Sequence, residues 1–238
     1  MMRESNLFMQ YKRILKILRP KAFVFENVTG ILSMNKGNLF KQIQIEFEEL
    51  GYDLKHKVLD AVDYGVPQHR ERVILVGIKE KNNFVYPSPT HGEGLKPYVT
   101  LREAIGDLPV LRSGEENNIY ATSATNEFLK FVRKNADMYV EEHKAPKNGE
   151  HLIKIMQTLK DGESKDDLPE YIRPKSGYGN TYAKLWWDKP STTITRNFSR
   201  ALHPRDVFIQ EIQEQCQFEK EQDCRAFRMI INSMVLME

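Results

Sequence analysis

Two short apolar runs constrain the fold of this chain most strongly. The first, AFVFE, occupies residues 22–26, and the second, RVILVGI, occupies residues 72–78. A continuous apolar run of this length is typical of a strand that is buried on both faces, as in a parallel sheet. A third strand is predicted over KVLDA at residues 57–61. We therefore predict a sheet whose strands are covered by other layers.

Amphipathic patterns predict helices between these strands. Residues 5–18 place apolar side chains at helical spacing, with Ser5 able to cap the start and Pro20 ending the helix. Residues 39–50 repeat the pattern, and Gly51 stands at the C-terminal stop. The order helix, strand, helix, strand, strand predicts an α/β domain.

The character of the sequence changes after residue 79. From about residue 82 to residue 179 the chain is polar and irregular, with helices predicted near 126–135 and 150–159. Such a segment is typical of an inserted recognition region rather than of a continuing sheet. Residues 181–195, TYAKLWWDKPSTTIT, return to strand-like chemistry.

Composition excludes several classes of protein. The 238 residues carry 35 Lys and Arg against 33 Asp and Glu, a formal net charge of +2. This balance excludes a histone-like protein but allows DNA binding through a local basic face. The sequence has no apolar run of membrane-spanning length, no signal-peptide pattern and no Cys/His cluster with zinc spacing. With two cysteines, Cys216 and Cys224, we expect a cytoplasmic protein that uses neither membrane nor metal.

A carboxyl group stands at the end of the first predicted strand. Glu26, followed by Asn27 and Val28, lies at the carboxyl end of AFVFE. In open α/β sheets, ligand chemistry collects at that edge, so a carboxyl group there is well placed for acid–base work. The alternative, and the commoner role of a lone Glu, is a solvated loop acid that caps the next turn.

The second candidate site is the segment DYGVPQHRER, which leads into RVILVGI. If the segment is extended, alternation places Gln68, Arg70 and Arg72 on one face of the strand. The two guanidinium groups, about 7 Å apart along the strand, can then clamp a carboxylate and a phosphate or hold a carbonyl oxygen. The alternative is an edge strand protected by its charges, against which the apolar run that follows argues.

The third candidate is WWDKPSTTITRNF at residues 186–198. Thr192 to Thr195 alternate hydroxyl and apolar positions, and Arg196 follows them. Aromatic, hydroxyl and basic groups together suit a surface that contacts phosphates. The alternative is an exposed strand and turn.

In combination, these segments resemble the cytosine-C5 DNA methyltransferase family over about residues 5–199. The matching stretches, in order, are KAFVFENVTGIL (21–32), DAVDYGVPQHRERVILVGI (60–78), YVTLREAIGDLP (98–109) and YAKLWWDKPSTTITRNF (182–198). The resemblance implies an α/β fold, a partial Rossmann-like S-adenosylmethionine methyltransferase domain with an inserted small, irregular DNA-recognition region. The implied segments are the C-terminal part of the catalytic domain (1–81), the target-recognition region (82–180) and a return segment (181–199).

The resemblance also implies a reaction, and roles for individual residues. Such an enzyme, often part of a restriction–modification system, flips a cytosine out of double-stranded DNA and adds a cysteine thiolate to C6, after which C5 takes the methyl group of S-adenosylmethionine. Glu26 would hydrogen-bond cytosine N3 as a proton donor, Arg72 would hold cytosine O2, and Arg70 would contact the DNA backbone. The implied DNA- and base-binding residues are Asn27, Gln68, Thr195 and Arg196.

Departures from the family pattern shape what we expect of these 238 residues. The family's F-x-G-x-G cofactor loop and Pro-Cys-Gln nucleophile segment are not among them, and no cysteine occurs before Cys216. Asp60 stands where the family often has Asn. We therefore expect this chain to be inactive by itself and to expose open strand edges. The alternatives are one half of a split methyltransferase that needs a partner chain, or a non-catalytic DNA-binding remnant. The cations available to such a remnant are Lys96, Arg102, Arg112, Lys130, Arg133 and Lys134.

The tail at residues 200–238 lacks the family's RE…LQ.FPD signature. If each codon's last base is read with the first two bases of the next codon, Asp223–Cys224 can only give Leu, and from about Asp206 the shifted frame permits a sequence that contains LQSFPDD. We therefore predict a frameshift near Ser199–Arg200, which would make the tail non-native.

Overall fold

The computed structural model describes residues 7–80, 83–134, 138–140, 143–175 and 182–193. They belong to two compact units. The first unit runs to Asp60 and includes Arg70–Ser88, and the second consists of Ala61–His69 and the residues from Pro89 onward. In the part of the chain that the structure describes, no helix has the length and apolar character needed to cross a membrane.

The first unit is built on a three-stranded sheet. Its elements, in chain order, are α1 (Leu7–Leu18), β1 (Ala22–Val28), α2 (Asn38–Glu48), β2 (Asp53–Asp60) and β3 (Glu71–Ile78). Strand β3 lies in the middle and is antiparallel to both β1 and β2. The predicted order of two helices and three strands is therefore confirmed.

The prediction that AFVFE is buried on both faces, as in a parallel sheet, is wrong. In β1, Phe23 and Phe25 are buried, whereas Val24 and Val28 are 56% and 52% exposed. The reason is that β1 lies at an edge of the sheet, and α1 and α2 pack against the face that carries the two phenylalanines. The central strand β3, by contrast, is buried from Val73 to Val76, as predicted.

Aromatic side chains dominate the core between this sheet and its helices. The ring of Phe23 meets Phe47 of α2 and Tyr52 edge to face, with centroids 5.2 Å and 4.9 Å apart. The Tyr52 hydroxyl donates to the carbonyl of Pro20 at 2.8 Å, just before β1 begins. Burial of each such side chain stabilises the fold by about 1.5–3 kcal/mol, so this core fixes β1 against β3.

Among its described residues, the second unit contains three short α-helices, which are α3 (Leu101–Ile105), α4 (Glu127–Val132) and α5 (Glu150–Thr158). Helices α4 and α5 confirm the two that the sequence predicts near 126–135 and 150–159. The strand-like character predicted for residues 181–195 is reduced, in the described residues 182–193, to isolated bridges such as Gln68 to Ser191. Pro190 lacks an N–H, so it cannot contribute a donor to a longer ladder. The described part of the chain also has 3-10 turns at Thr29–Leu32, Met34–Gly37, Ala61–Tyr64 and Lys165–Asp167.

A buried ion pair lies inside the second unit. Asp107, 2% exposed, accepts a hydrogen bond from Arg133 Nη1 at 2.9 Å. The same guanidinium lies 3.6 Å from the centroid of the Tyr120 ring and donates to the carbonyl of Thr122 at 3.0 Å. Burial raises the pKa of Asp107 above its ordinary value, although Arg133 acts in the opposite direction.

A buried lysine, Lys184, caps the C-terminus of α5. The ammonium group of Lys184 donates to the carbonyls of Met156 and Leu159 at 3.3 Å and 3.0 Å. These carbonyls belong to the end of a helix, where backbone acceptors lack intrahelical partners and the macrodipole is negative. Lys184 therefore stabilises the C-terminus of α5 and the backbone around it.

Candidate active site

The structure brings two of the predicted catalytic residues into direct contact. Arg72 Nε lies 2.8 Å from Glu26 Oε1. In the ladder between β1 and β3, Glu26 is opposite Ile74 and Val28 is opposite Arg72. Glu26 and Arg72 are therefore diagonal neighbours on one face of the sheet, a separation that long side chains can bridge.

The Glu26–Arg72 ion pair has polar atoms that are available to hydrogen-bond a ligand. The Glu26 side chain is 34% exposed and that of Arg72 is 19% exposed. Arg72 Nη1 donates to the carbonyl of Glu71 at 2.7 Å. Among the described residues, Glu26 Oε2 and Arg72 Nη2 have no further partner. The pair therefore presents an acceptor and a charged donor side by side to a ligand.

Arg70 is placed differently from the sequence expectation. Strand β3 begins at Glu71, so the alternation predicted to put Gln68, Arg70 and Arg72 on one strand face does not hold. The backbone N–H of Arg70 instead donates to Asp60 Oδ1 at 2.7 Å, where β2 ends. Asp60 thus closes the connection between β2 and β3. An Asn side chain offers the same kind of oxygen, so the family's frequent residue can make this contact equally well.

Two of the sequence candidates meet inside the second unit. The N–H of Ser191 donates to the carbonyl of Pro67 at 2.9 Å, and the N–H of His69 donates to the carbonyl of Ser191 at 2.8 Å. The Thr193 hydroxyl donates to the carbonyl of His69 at 2.7 Å. These contacts form a parallel bridge centred on Gln68 and Ser191. Residues 67–69 and 191–193 are thus neighbours in space although more than a hundred residues separate them.

The remaining candidates are only partly located. Asn27 Oδ1 accepts the backbone N–H of Val28 at 2.9 Å, which caps the end of β1. Thr195 and Arg196 lie outside the described residues, so their roles at DNA stay predictions. The predicted DNA contacts of Asn27 and Gln68 stay predictions as well.

Sequence reasoning missed a cluster that holds the loop before Arg70. Within the second unit, Asp63 Oδ1 accepts the Tyr98 hydroxyl at 2.9 Å, and the Asp63 carbonyl accepts the N–H groups of Thr90 and His91 at 2.9 Å and 3.0 Å. A Cβ on Gly65, whose φ is +83°, would come within 2.7 Å of the His91 ring. This position therefore requires glycine for both its backbone and its lack of a side chain.

The contacts of this cluster fix the backbone of the loop that contains Asp63 and Gly65. Burial, and secondarily Lys96, lowers the pKa of His91, which the sequence alone indicates to be a surface or loop histidine. Asp63 and Tyr98 both lie in stretches that resemble the family, and that shared resemblance was the only signal linking them.

The YVTLREAIGDLP and WWDKP stretches pack on each other and have a scaffolding role. The N–H groups of Leu101 and Arg102 donate to the carbonyls of Lys189 and Trp187 at 2.9 Å and 2.8 Å. The Arg102 guanidinium binds both carboxylate oxygens of Asp188, at 2.5 Å and 3.0 Å, and lowers the pKa of that carboxyl. This bidentate geometry fixes the start of α3.

Carboxylates neutralise half of the cations that a DNA-binding remnant would use. Arg102 pairs with Asp188 and Arg133 with Asp107. Lys96 pairs with Glu127 at 3.1 Å. Among the described residues there is also no group of three or more side chains suited to hold a metal ion.

Comparison with known proteins decides the family. The family model for C-5 cytosine-specific DNA methylase matches residues 2–236. The chain belongs to this family. The type II methyltransferase M1.HphI of Haemophilus parahaemolyticus is 33% identical over 199 residues, which are 84% of this chain and 47% of that relative. M.BspRI of Lysinibacillus sphaericus is 50% identical over 106 residues, 43% of this chain and 25% of the relative.

The fold of a solved methyltransferase agrees with this assignment. The crystal structure of a DNA modification methyltransferase encoded within an E. coli prophage matches with a TM-score of 0.62 at 18% identity, over 86% of this chain and 60% of that one. The predicted α/β methyltransferase fold is thereby confirmed. The chain spans about half the length of the curated methyltransferases that it matches.

Proposed function

We propose that this chain is the part of a DNA (cytosine-5-)-methyltransferase that holds the flipped-out target cytosine, in a type II restriction–modification system of the cytoplasm. The single observation that carries the proposal is the Glu26–Arg72 pair, with an acceptor and a donor in reserve. Family membership supports the reaction class. The substrate is double-stranded DNA, from which the base is extruded before reaction.

Cytosine is complementary to this pair of side chains once a proton from solvent is shared between its N3 and the Glu26 carboxyl, because N3 and O2 of the neutral base both accept hydrogen bonds. When a thiolate adds to C6, negative charge develops over N3 and O2 of the ring. Arg72 Nη2 can donate to O2, and a proton held between the Glu26 carboxyl and N3 prevents the charge from accumulating. Because Arg72 Nε already fixes the carboxyl of Glu26, both groups are oriented before the base arrives, which lowers the cost of reorganisation.

The methyl donor is not assigned to residues of this chain. S-adenosylmethionine, which the family uses, supplies an electrophilic methyl group. Its glycine-rich cradle requires open backbone after a strand, and the glycines that follow strands here do not fit. Gly30 stands singly in a 3-10 turn, and the space beside Gly65 is filled by His91.

The cysteine nucleophile and the cofactor site, in this proposal, lie outside the residues of this sequence, in another part of the same protein or on a second polypeptide. The relatives are about twice as long as the part that this chain matches. The assignments of 1–81 to the catalytic domain, 82–180 to target recognition and 181–199 to the return segment belong to the same proposal, as do the DNA contacts of Thr195 and Arg196. A frameshifted tail at 200–238 is tested by the nucleotide sequence, since any codon incompatible with the shifted reading contradicts it.

A hybrid enzyme tests the proposed function. Residues of this chain replace the matched part of M1.HphI, and transfer of a labelled methyl group to DNA is measured. The Glu26→Gln hybrid should be slower by about 10²–10⁴-fold, the range typical of a lost acid–base group. Glu48→Gln, at an exposed position on α2, is the matched control and should leave the rate unchanged. A Glu26→Gln hybrid as active as its parent, or a hybrid that binds DNA but transfers no methyl group, contradicts the proposal.

A further inference from the structure

A side-chain hydrogen bond extends the ladder between β2 and β3 at the start of β3. The last pair of this ladder is Asp60 with Glu71, and Leu59 lies opposite Arg72. One residue before the ladder, the N–H of Arg70 donates to Asp60 Oδ1 at 2.7 Å. The Asp60 carboxylate therefore adds one bond to the end of a strand, which is where strands open most easily.

This end of β3 leads directly to the Glu26–Arg72 pair. In the ladder between β1 and β3, too, the last pair contains Arg72, which lies opposite Val28. Arg72 Nη1 donates to the carbonyl of Glu71 at 2.7 Å, and Arg72 Nε lies 2.8 Å from Glu26 Oε1. The Glu71 carbonyl thus orients the guanidinium, and the guanidinium holds the Glu26 carboxyl. A displacement of the backbone at Arg70 and Glu71 would therefore move both members of the pair.

Asp60 reaches this pair through the backbone. Successive side chains of a strand alternate between the two faces of a sheet, and directly opposite residues share a face. Asp60 is opposite Glu71, so the side chain of Arg72, one residue later, is on the other face. The carboxylate therefore acts on Arg72 through the main chain of Arg70 and Glu71.

We propose that Asp60 is a positioning residue for methyl transfer, which orients the Glu26–Arg72 pair by holding the backbone at the start of β3. The inference rests on the proposed function, in which this pair binds the target cytosine. A carboxylate makes a charge-assisted hydrogen bond, about twice as strong as a bond between neutral groups. Because a displacement of about 1 Å can slow an enzyme by about 100-fold, a single bond at this place can control the rate.

A neighbouring charge separates positioning from stability. Asp60 lies directly opposite Glu71, and like charges in such a pair repel each other. Removal of the Asp60 carboxylate therefore loses one hydrogen bond and relieves one repulsion, so we expect little change in the melting temperature. Positioning is then recognised by a change at Arg72 in a chain of nearly unchanged stability.

Proton exchange at Arg72 Nε, measured by NMR on the full chain without DNA or methyl donor, tests the proposal. Asp60→Ala should raise the exchange rate by about 10-fold or more, as expected for the loss of a hydrogen bond to a charged group. Asp60→Asn keeps an oxygen that accepts the Arg70 N–H and should stay within about 3-fold of the parent chain. The matched control is Asp53→Ala, which removes the same side chain at the other end of β2 and should leave the exchange unchanged.

Methyl transfer by the hybrid enzyme gives a second readout. Asp60→Ala should lower kcat by about 10-fold to 100-fold. The KM for DNA should stay unchanged, because contacts to the phosphate backbone dominate the affinity for the duplex. Asp60→Asn should restore kcat to within about 3-fold of the parent hybrid.

Three outcomes overturn the proposal: unchanged Arg72 exchange in Asp60→Ala, equal effects of Asp60→Ala and Asp53→Ala, or a kcat that falls only in step with the melting temperature. An Asp60→Ala chain that does not fold also overturns it, because Asp60 would then serve the fold alone. Since the exchange is measured without DNA, it is independent of the role of Glu26 in the reaction. A hybrid enzyme that does not need Glu26 would contradict the proposed function and leave the exchange result intact.

Discussion

Two arginine–carboxylate pairs of nearly equal length have opposite consequences in this molecule. In the first unit, Glu26 and Arg72 are 2.8 Å apart, with side chains 34% and 19% exposed. In the second unit, Asp107 and Arg133 are 2.9 Å apart, with side chains 2% and 14% exposed. The separation of the charges therefore does not distinguish a reactive site from a scaffold.

What distinguishes the pairs is the use made of the remaining polar atoms. Arg133 also donates to a backbone carbonyl and stacks on Tyr120, so its binding capacity serves the fold. Arg72 and Glu26 each keep an atom without a partner among the described residues. A buried pair whose polar atoms are all hydrogen-bonded within the protein, such as Asp107–Arg133, stabilises the fold. A partly exposed pair such as Glu26–Arg72 can exchange bound solvent for a ligand.

The largest expected effect comes from breaking the buried pair. Asp107→Ala leaves the Arg133 guanidinium without its counter-charge in the interior, and should lower the free energy of unfolding by about 3–5 kcal/mol. Urea denaturation of the chain, monitored within the second unit by hydrogen exchange, measures this change. Glu26→Ala is the matched control on the half-open pair and should cost less than about 1 kcal/mol. Equal losses for the two variants would remove the distinction between the pairs.

Substitutions in the Glu26–Arg72 pair should instead change the rate of methyl transfer. Arg72→Lys keeps the charge but removes the planar guanidinium that engages Glu26 and, in the proposal, O2 of the base at the same time. We expect the hybrid methyltransferase to slow by about 100-fold, with little change in its melting temperature. Arg13→Lys, at an exposed position on α1, should leave the rate unchanged. A variant that loses stability in proportion to its rate would show that Arg72 is part of the scaffold.

Predictability from sequence differed between the two pairs for a physical reason. Glu26 ends one apolar run and Arg72 begins another, so the local sequence pattern indicates both residues as candidates. Their contact depends on the antiparallel register of β1 and β3, which local pattern does not contain. Asp107 and Arg133 lie in irregular, polar sequence where no periodicity indicates which charge is buried. The helices and strands of the first unit were predictable, since their periodicity is local.

Two errors share a related origin. An apolar residue at every position from 22 to 25 indicates a strand covered on both faces, and the local pattern does not say whether the strand lies in the middle or at an edge of the sheet. The alternation assumed for Gln68, Arg70 and Arg72 required a strand that began before Glu71. The bridge to Ser191, a partner distant in sequence, holds Gln68 outside β3 instead.

A smaller effect is expected from the other buried cation of the second unit. Lys184→Met removes the charged donor at the end of α5 and should lower the free energy of unfolding by about 1–2 kcal/mol. Lys160→Met, at an exposed position just after α5, should have no measurable effect. Chemical denaturation of both variants makes the comparison. If the two proved equal, the carbonyls of Met156 and Leu159 would have adequate partners without Lys184.

The smallest effect is a pH dependence of the buried pair. Burial raises the pKa of Asp107 above its ordinary 3.8, so the folded state holds the proton more tightly than the unfolded state does. The stability of the wild-type chain relative to Asp107→Asn should therefore be greatest below pH 3.8 and decline as pH rises through the folded pKa. Thermal unfolding across this range measures the difference. A relative stability that increases with pH would mean that Arg133 outweighs burial.

The central position of β3 also sets the order in which the first unit can assemble. Paired residues of β2 and β3 are 11 to 25 positions apart in the chain, whereas those of β1 and β3 are 44 to 56 positions apart. Neither outer strand pairs with the other, so no ladder forms until β3 has left the ribosome. The nearby β2–β3 ladder closes the shorter loop and should nucleate the sheet, with β1 joining last. The strand that carries Glu26 is thus the last of the three described strands to be fixed during synthesis.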